Sequence, residues 1–186
     1  MTYCTYVRTI PGADPLHVQY HNHQYGFPLL SDAELFERLV LEINQAGLSW
    51  LTILKKQENF RHAYDGFDLD RVAAYDDRDR ERLLADPGII RNRLKVNAAI
   101  ENARRIVRIR DEFGSFAAWL DHHHPRIREE WTRLFKQTFL FTGGEIVNEF
   151  LMSTGYLPGT HDHDCPAYAA IKKLQPAWMK GKPNGE

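Results

Sequence analysis

The residues best able to hold a metal lie at the two ends of the chain. Cys4 and His21 stand near the start, and Cys165 follows His161 by four positions near the end. Two soft or borderline donors at each end have the composition of a Cys₂His₂ zinc site, which would stitch the terminal segments together. The His161–Cys165 interval brings both side chains to one face of a helix or turn. Four protein donors close the coordination sphere, so one such zinc would be structural and would activate no water. The intervals follow no standard finger pattern, and spacing leaves alternatives open. His23 and His163 compete as ligands, the thiols could stay free among surface histidines, or Cys4 and Cys165 could form a disulfide.

A second group could recognise a ligand. Tyr20-His21-Asn22-His23-Gln24-Tyr25-Gly26 concentrates aromatics and histidines in what reads as a loop. Glu42 lies beside the apolar face of the helix that follows. A carboxylate buried there must find donors or take up a proton, which marks it for function. Periodicity by itself favours the plainer reading, an exposed glutamate on the helix flank. Ala46-Gly47-Leu48-Ser49 is a tight break with an apolar tip, either a plain turn or a wedge offered to a partner. Phe139-Leu140-Phe141-Thr142-Gly143-Gly144 precedes another helix, and free N–H groups at a helix N-terminus can receive an anion or phosphate. As a bare pattern that signal is weak, because helical hairpins commonly need glycine.

Short helices must position these groups. Ser31 with Glu34 reads as a capping box ahead of Leu35, Phe36, Leu39, Val40 and Ile43. Ser49 caps a second short helix through Leu54, and Asp68 and Asp76 read as N-caps of two more. Asn92 to Asp111 is the longest helix, with an apolar stripe from Val96 to Val107. Ser115 opens another, Ile127 to Phe135 defines the next, and Ile146 to Leu151 the last. His122, His123 and His124 read as an exposed loop before Pro125. Strand-like alternation is scarce, so the expected class is all-α.

The 186 residues correspond to one domain by a prior of roughly 150 residues each; the expected bounds are 1–178, with a polar, fraying tail over 179–186. Hydrophobic residues make up 43% and charged ones 26%, enough for a core and too apolar for disorder. Mean hydropathy is −0.50, and no apolar run reaches the roughly 18 residues of a membrane span. No basic-then-apolar block opens the chain, so a cytoplasmic protein is expected. Lys+Arg 24 against Asp+Glu 25 excludes nucleic-acid binding by bulk charge, though not by a local patch.

Taken together, these motifs closely resemble the DNA-3-methyladenine glycosylase I family. The likeness runs from Cys4 to Cys165 and is densest from Asp14 to Lys56. It rests on Tyr20-His21, Tyr25-Gly26, Leu41-Glu42, Gln45-Ala46-Gly47-Leu48-Ser49-Trp50, Ile53-Leu54-Lys55-Lys56, Gly88-Ile89-Ile90-Arg91 and Phe139 through Gly143. The resemblance implies a helix–hairpin–helix DNA glycosylase fold whose zinc, held by Cys4, His21, His161 and Cys165, joins the N- and C-terminal segments. It implies that Glu42 and Tyr20 hydrogen-bond a flipped base between walls of Trp50, Tyr6 and Tyr25, with His17 at a further pocket position. Gly47 and Leu48 would fill the gap in the duplex, and Thr142, Gly143 and Gly144 would grip its backbone.

The implied activity is monofunctional hydrolysis of the glycosidic bond of 3-methyladenine in alkylated double-stranded DNA, by a monomer that releases the free base. No lysine is placed for a Schiff base, and no general base is assigned, since Asp162 and Asp164 sit among the metal ligands. The chain departs from the family pattern at Tyr6, Tyr25 and His17, which replace larger or more aromatic residues. It departs again at Glu145, an acid where a phosphate would dock. Lys55, Lys56, Arg91, Arg93 and Lys95 could compensate. Two other classes remain: a zinc-stabilised protein that binds alkylated bases without acting on duplex DNA, and a hydrolase of free modified nucleosides.

Overall fold

Side-chain caps set most of the helix boundaries. In the computed structural model, which describes residues 2–181, Ser31, Ser49, Asp68, Asp76, Asn92 and Ser115 each accept a hydrogen bond from a backbone N–H of the first helical turn. They open α3 (Asp32–Gln45), α4 (Trp50–Ala63), α5 (Leu69–Ala73), α6 (Asp77–Ala85), α7 (Arg93–Phe113) and α8 (Phe116–His123). α9 (Arg128–Thr138) and α10 (Gly144–Ser153) form the glycine-containing hairpin. No strand occurs among the described residues, so the all-α expectation holds. None of the described helices is long and apolar enough to cross a membrane.

Three helices were not expected from the sequence. α1 (Tyr3–Thr9) and α2 (Pro15–His23) precede α3, and α11 (Pro166–Lys173) follows α10. Tyr20 to His23 therefore close a helix instead of lying in a loop, and α10 is not the last element. α4 runs for 14 residues and is not short. His122 and His123 occupy the last turn of α8, where His123 packs edge-on against Trp119 with ring centroids 4.9 Å apart. The end of the expected domain, residue 178, falls inside a 3-10 turn, Ala177–Met179. The Trp178 N–H donates to the Gly155 carbonyl at 3.2 Å. Residues 182–186 of the expected tail lie outside the described residues.

The core follows from the apolar stripes. Leu35, Phe36, Leu39, Val40 and Ile43 of α3 meet Val96, Ala99, Ile100, Ala103 and Ile106 of α7 in one buried cluster. Phe116, Trp119, Trp131, Phe135, Phe139 and Phe150 of α8 to α10 extend it. Burial of each large side chain contributes roughly 1.5–3 kcal/mol against the conformational entropy of ordering so many short segments. This scaffold holds α10 against α3, whose C-terminal end leads into the α3–α4 turn.

The turn itself is tightly held. Gly47 has φ +82°, a left-handed conformation that L side chains adopt only with strain. The Leu48 N–H donates to the Gln45 carbonyl at 2.7 Å, and the Gln45 side-chain amide returns a bond to the Leu48 carbonyl at 2.9 Å. Lys95, expected as an exposed cation for a nucleic-acid backbone, is only 5% exposed. Its ammonium donates to the Asn44 and Ala46 carbonyls at 2.9 and 2.7 Å, capping the end of α3. The Lys56 ammonium is likewise engaged, by the Pro87 carbonyl at 2.9 Å. Lys55, Arg91 and Arg93 remain exposed.

Candidate active site and metal cluster

Five elements converge on a pocket of about 690 Å³. α1 contributes Tyr3 and Tyr6, one turn apart on the same face. α2 contributes His17 and Tyr20 by the same spacing, followed closely by Tyr25. Glu42 and Gln45 come from the last turn of α3, Ala46 and Gly47 from the break, and Trp50 from the first residue of α4. α10 closes the pocket with Glu145, Ile146 and Glu149. Every residue expected to hold a base thus lines one cavity: Glu42, Tyr20, Trp50, Tyr6, Tyr25 and His17.

The walls are π surfaces set at angles to one another. Tyr20 lies 5.1 Å from Trp50 and 5.6 Å from Tyr25 between ring centroids. Tyr6 meets His17 edge-on at 5.3 Å, and the Tyr3 hydroxyl lies 2.8 Å from His17 Nδ1. The Trp50 indole N–H is buried without a hydrogen-bond partner among the described residues. An aromatic enclosure of this kind attracts a cationic, planar ligand more strongly than a neutral one.

Glu42 brings to this enclosure a carboxyl that a bound cation would ionise. It is 4% exposed, so the plain reading of a flank glutamate in solvent is overturned. Its carboxyl forms no hydrogen bond to another described residue, and burial pushes its pKa up to about 8. The Arg38 guanidinium, one helical turn earlier, lowers it, and the Glu149 carboxylate raises it. Arg38 is itself buried and commits its donors elsewhere: one nitrogen reaches the Tyr20 hydroxyl and the Ser153 carbonyl, both at 3.3 Å. The guanidinium also sits over the Tyr20 ring, 5.2 Å from its centroid. A buried carboxyl with an unfilled hydrogen-bonding position is costly to the fold unless a ligand completes it.

Next to the pocket residues of α2, His21 enters a second cluster. The ligand atoms of Cys4, His21, His161 and Cys165 all lie within 4.8 Å of one another, and all four residues are buried. His21 Nε2 stands 3.2 Å from the Cys4 sulfur and 3.2 Å from His161 Nδ1. The Cys165 sulfur stands 3.9 Å from His21 Nε2 and 3.8 Å from His161 Nδ1. A tetrahedral ion with bonds of about 2.0–2.3 Å requires donor separations close to these, so the four residues fit a metal. Both imidazoles have outer partners: His21 Nδ1 is 2.8 Å from the Asn22 side-chain oxygen, and His161 Nε2 is 2.7 Å from the Tyr25 carbonyl. Both cysteines are free thiols, so the disulfide alternative falls. The competing histidines are elsewhere: His163 packs against Tyr168, and His23 is exposed at the end of α2.

The wedge and hairpin candidates flank the pocket mouth. Leu48 is 38% exposed at the tip of the α3–α4 turn, beside the pocket-lining Gly47. Thr142 is 4% exposed, and its hydroxyl donates to the Phe135 carbonyl at 3.0 Å and the Phe139 carbonyl at 3.3 Å. That hydroxyl is spent inside the hairpin, which removes it from the set that could grip a backbone. Gly143 is the uncapped start of α10, and a Cβ there would meet nothing within 4 Å. The left-handed residue of the hairpin is Phe141, with φ 60°, and not a glycine. Glu145 forms an ion pair with Arg128, which offsets the repulsion it would exert on an approaching anion.

The sequence pattern of the family described as methyladenine glycosylase matches residues 10–134. The chain belongs to that family. DNA-3-methyladenine glycosylase 1 of Escherichia coli (strain K12) is 36% identical over 178 residues, which span 86% of this chain and 95% of the relative. The solved 3-methyladenine DNA glycosylase I from Staphylococcus aureus superposes with a TM-score of 0.76 at 34% identity, covering 83% of this chain and 92% of that one. A Tyr→Phe variant of 3-methyladenine DNA glycosylase I, solved in complex with 3-methyladenine, superposes with a TM-score of 0.78 at 32% identity; the match covers 90% of this chain and 97% of that one.

Within this methyladenine glycosylase, sequence reasoning missed Tyr3, Arg38 and Glu149. Tyr3 carried a signal, since it precedes Tyr6 by one helical turn. Arg38 had one too, four positions before Glu42 on α3. Glu149 looked like an ordinary polar position of α10, and only the approach of that helix to α1 to α3 shows which way it faces.

Proposed function

We propose that this methyladenine glycosylase excises 3-methyladenine from alkylated double-stranded DNA as a monofunctional base-excision-repair enzyme. It hydrolyses the N-glycosidic bond and releases the free base. One observation carries the reading: Glu42 presents a buried carboxyl without a protein partner to an aromatic pocket. Methylation at N3 makes the adenine ring of the nucleotide cationic, which weakens its glycosidic bond and makes the base a good leaving group. Tyr20, Trp50, Tyr6 and Tyr25 each offer such a ring a favourable face, worth roughly 0.5–2 kcal/mol when well placed. His17 completes that wall, held by Tyr3. Glu42, returned to its ionised form by the cationic ring, adds charge complementarity and accepts hydrogen bonds from the base in a dry site, where they are strongest. Neutral adenine satisfies none of the charge terms.

The base must leave the duplex to reach Glu42. Flipping costs a few kcal/mol and least for a damaged base. Leu48, presented by the left-handed turn at Gly47, is the group that would occupy the vacated stack. The hairpin backbone at Gly143 and Gly144, with Thr142 contributing its main chain only, would lie along the phosphates. Cys4, His21, His161 and Cys165 would hold one zinc ion, whose role there is structural: it fastens α1, α2 and the start of α11, and so keeps Tyr3, Tyr6, His17 and Tyr20 in the wall. The protein acts as a single domain over 1–178, as a monomer, in the cytoplasm.

Titration of free 3-methyladenine into the protein, followed by tryptophan fluorescence or calorimetry, tests the pocket. Saturable binding that is lost in Glu42→Gln supports the reading, and equal binding of unmethylated adenine would refute it.

A further inference from the structure

The pocket holds a second carboxylate that the recognition of a base does not require. Glu149 lines the same cavity as Glu42 and accepts a hydrogen bond from the Tyr25 hydroxyl at 3.2 Å. Its position along α10 fixes its level in the pocket. Glu145 and Glu149 share one face of the helix, about 6 Å apart along the axis. Glu145 lies at the hairpin end, and its neighbour Ile146 lines both this pocket and the shallow surface groove over the hairpin. Glu149 is one turn further in, and Glu42, on α3, is more deeply buried still. A nucleotide with its base against Glu42 and its phosphates along the hairpin would place its sugar between the two, at the level of Glu149.

We propose that Glu149 is the general base of excision, accepting a proton from the water that attacks the sugar. The inference rests on the glycosylase reading above and adds a residue to its chemistry. The C1′–N9 bond breaks and its electron pair neutralises the cationic purine. The water oxygen forms the new bond to C1′, and one water proton passes to the Glu149 carboxylate and then to solvent. The carboxylate also faces the positive charge that develops on the sugar as the bond opens.

The surroundings suit a base. Burial raises the Glu149 pKa above the ordinary carboxylate range, Tyr25 and Asn148 lower it by hydrogen bonding, Glu145 raises it, and Arg128 lowers it. Glu42 is the other acid facing it across the pocket. An elevated pKa makes a carboxylate a better proton acceptor near neutrality. Unlike Glu42, Glu149 is partly accessible, so water can reach it.

The test is single-turnover excision of 3-methyladenine from methylated duplex DNA, with binding of the free base measured alongside. Glu149→Gln is expected to lower the single-turnover rate by about 100-fold or more, with free-base affinity within about threefold of wild type, a split far smaller than one tenfold step. Glu149→Ala, confirmed folded by thermal melt, is expected to regain rate when formate is added. A Glu149→Gln rate near wild type would overturn the assignment. So would a rate loss matched by an equal loss of free-base binding without rescue by formate, which would make Glu149 a support for Tyr25. Release of no base by the wild-type protein would overturn the glycosylase reading and this inference together.

Discussion

The Lys95 ammonium lies 2.7 Å from the Ala46 carbonyl, a buried cation fastened to the end of α3. It ties α7, the longest helix, to the turn that presents Gly47 and Leu48. The geometry of the Gly47-Leu48 turn therefore depends on a buried residue that does not line the pocket.

Lys95→Met is expected to cost about 1.5–3 kcal/mol, the range for hydrogen bonds to a charged group. Excision from duplex DNA should fall while free-base binding persists. Chemical denaturation and the duplex assay check this together. An unchanged midpoint would show that the turn is held by its own Gln45–Leu48 bonds.

Glu42→Gln should trade activity for stability. The Glu42 carboxyl has a pKa of about 8 in the folded chain against an ordinary value of 4.5. The unfolded chain therefore loses this proton first, and stability present below pH 4.5 is lost as the pH rises towards 8. The variant carries no such loss. Its advantage over wild type should grow across that window to a few kcal/mol, at about 1.4 kcal/mol per pH unit at most. Melting curves at several pH values check the sign, and a pH-independent difference would place the carboxyl in solvent.

Leu48→Ala should separate duplex work from base binding. The leucine is exposed and supports no core cluster, so stability should change by less than about 0.5 kcal/mol. Excision from duplex DNA should drop roughly tenfold or more, since a small apolar group left out of the stack is worth about 1–3 kcal/mol. Excision from single-stranded methylated DNA should drop less. Equal losses on both substrates would argue that Leu48 acts in the pocket and not in the duplex.

Metal removal should loosen the pocket wall. The purified protein is expected to carry one zinc per chain, measured by atomic absorption. Chelation under mild denaturant, or Cys165→Ser, should lower Tm by about 10 °C or more, the equivalent of several kcal/mol for a chain this size. In a variant whose other three tryptophans are replaced by phenylalanine, the intensity of Trp50 fluorescence should change in parallel as α1 and α2 separate from α4. A chelated protein with unaltered melting would leave the four residues as a packed thiol–imidazole cluster.

The sequence shows its central helices and hides its terminal ones for a physical reason. α3 and α7 each bury one continuous apolar stripe in the shared core, and their caps at Ser31 and Asn92 are explicit. α2 has no such stripe, because its faces serve a pocket, through His17 and Tyr20, and the buried Cys/His cluster, through His21. Its one local signal is Asp14 as N-cap before Pro15 at the first helical position, and α11 repeats it with Cys165 and Pro166. Glu42 was visible as a candidate, yet its burial was not. Periodicity put it on the edge of the stripe, and the approach of Tyr20 and α10 decided the matter. Lys95 shows the converse: a lysine in a basic stretch reads as surface until two carbonyls at the end of another helix claim it.

The measurement closest to the central claim is incubation of the metal-loaded protein with methylated duplex DNA, followed by chromatography of the released bases. Selective release of 3-methyladenine, abolished or sharply reduced in Glu42→Gln, is the predicted result. Binding of free 3-methyladenine by a folded, zinc-loaded protein that releases no base from DNA would contradict it, and would make the chain an alkylated-base-binding protein whose hairpin no longer engages a duplex.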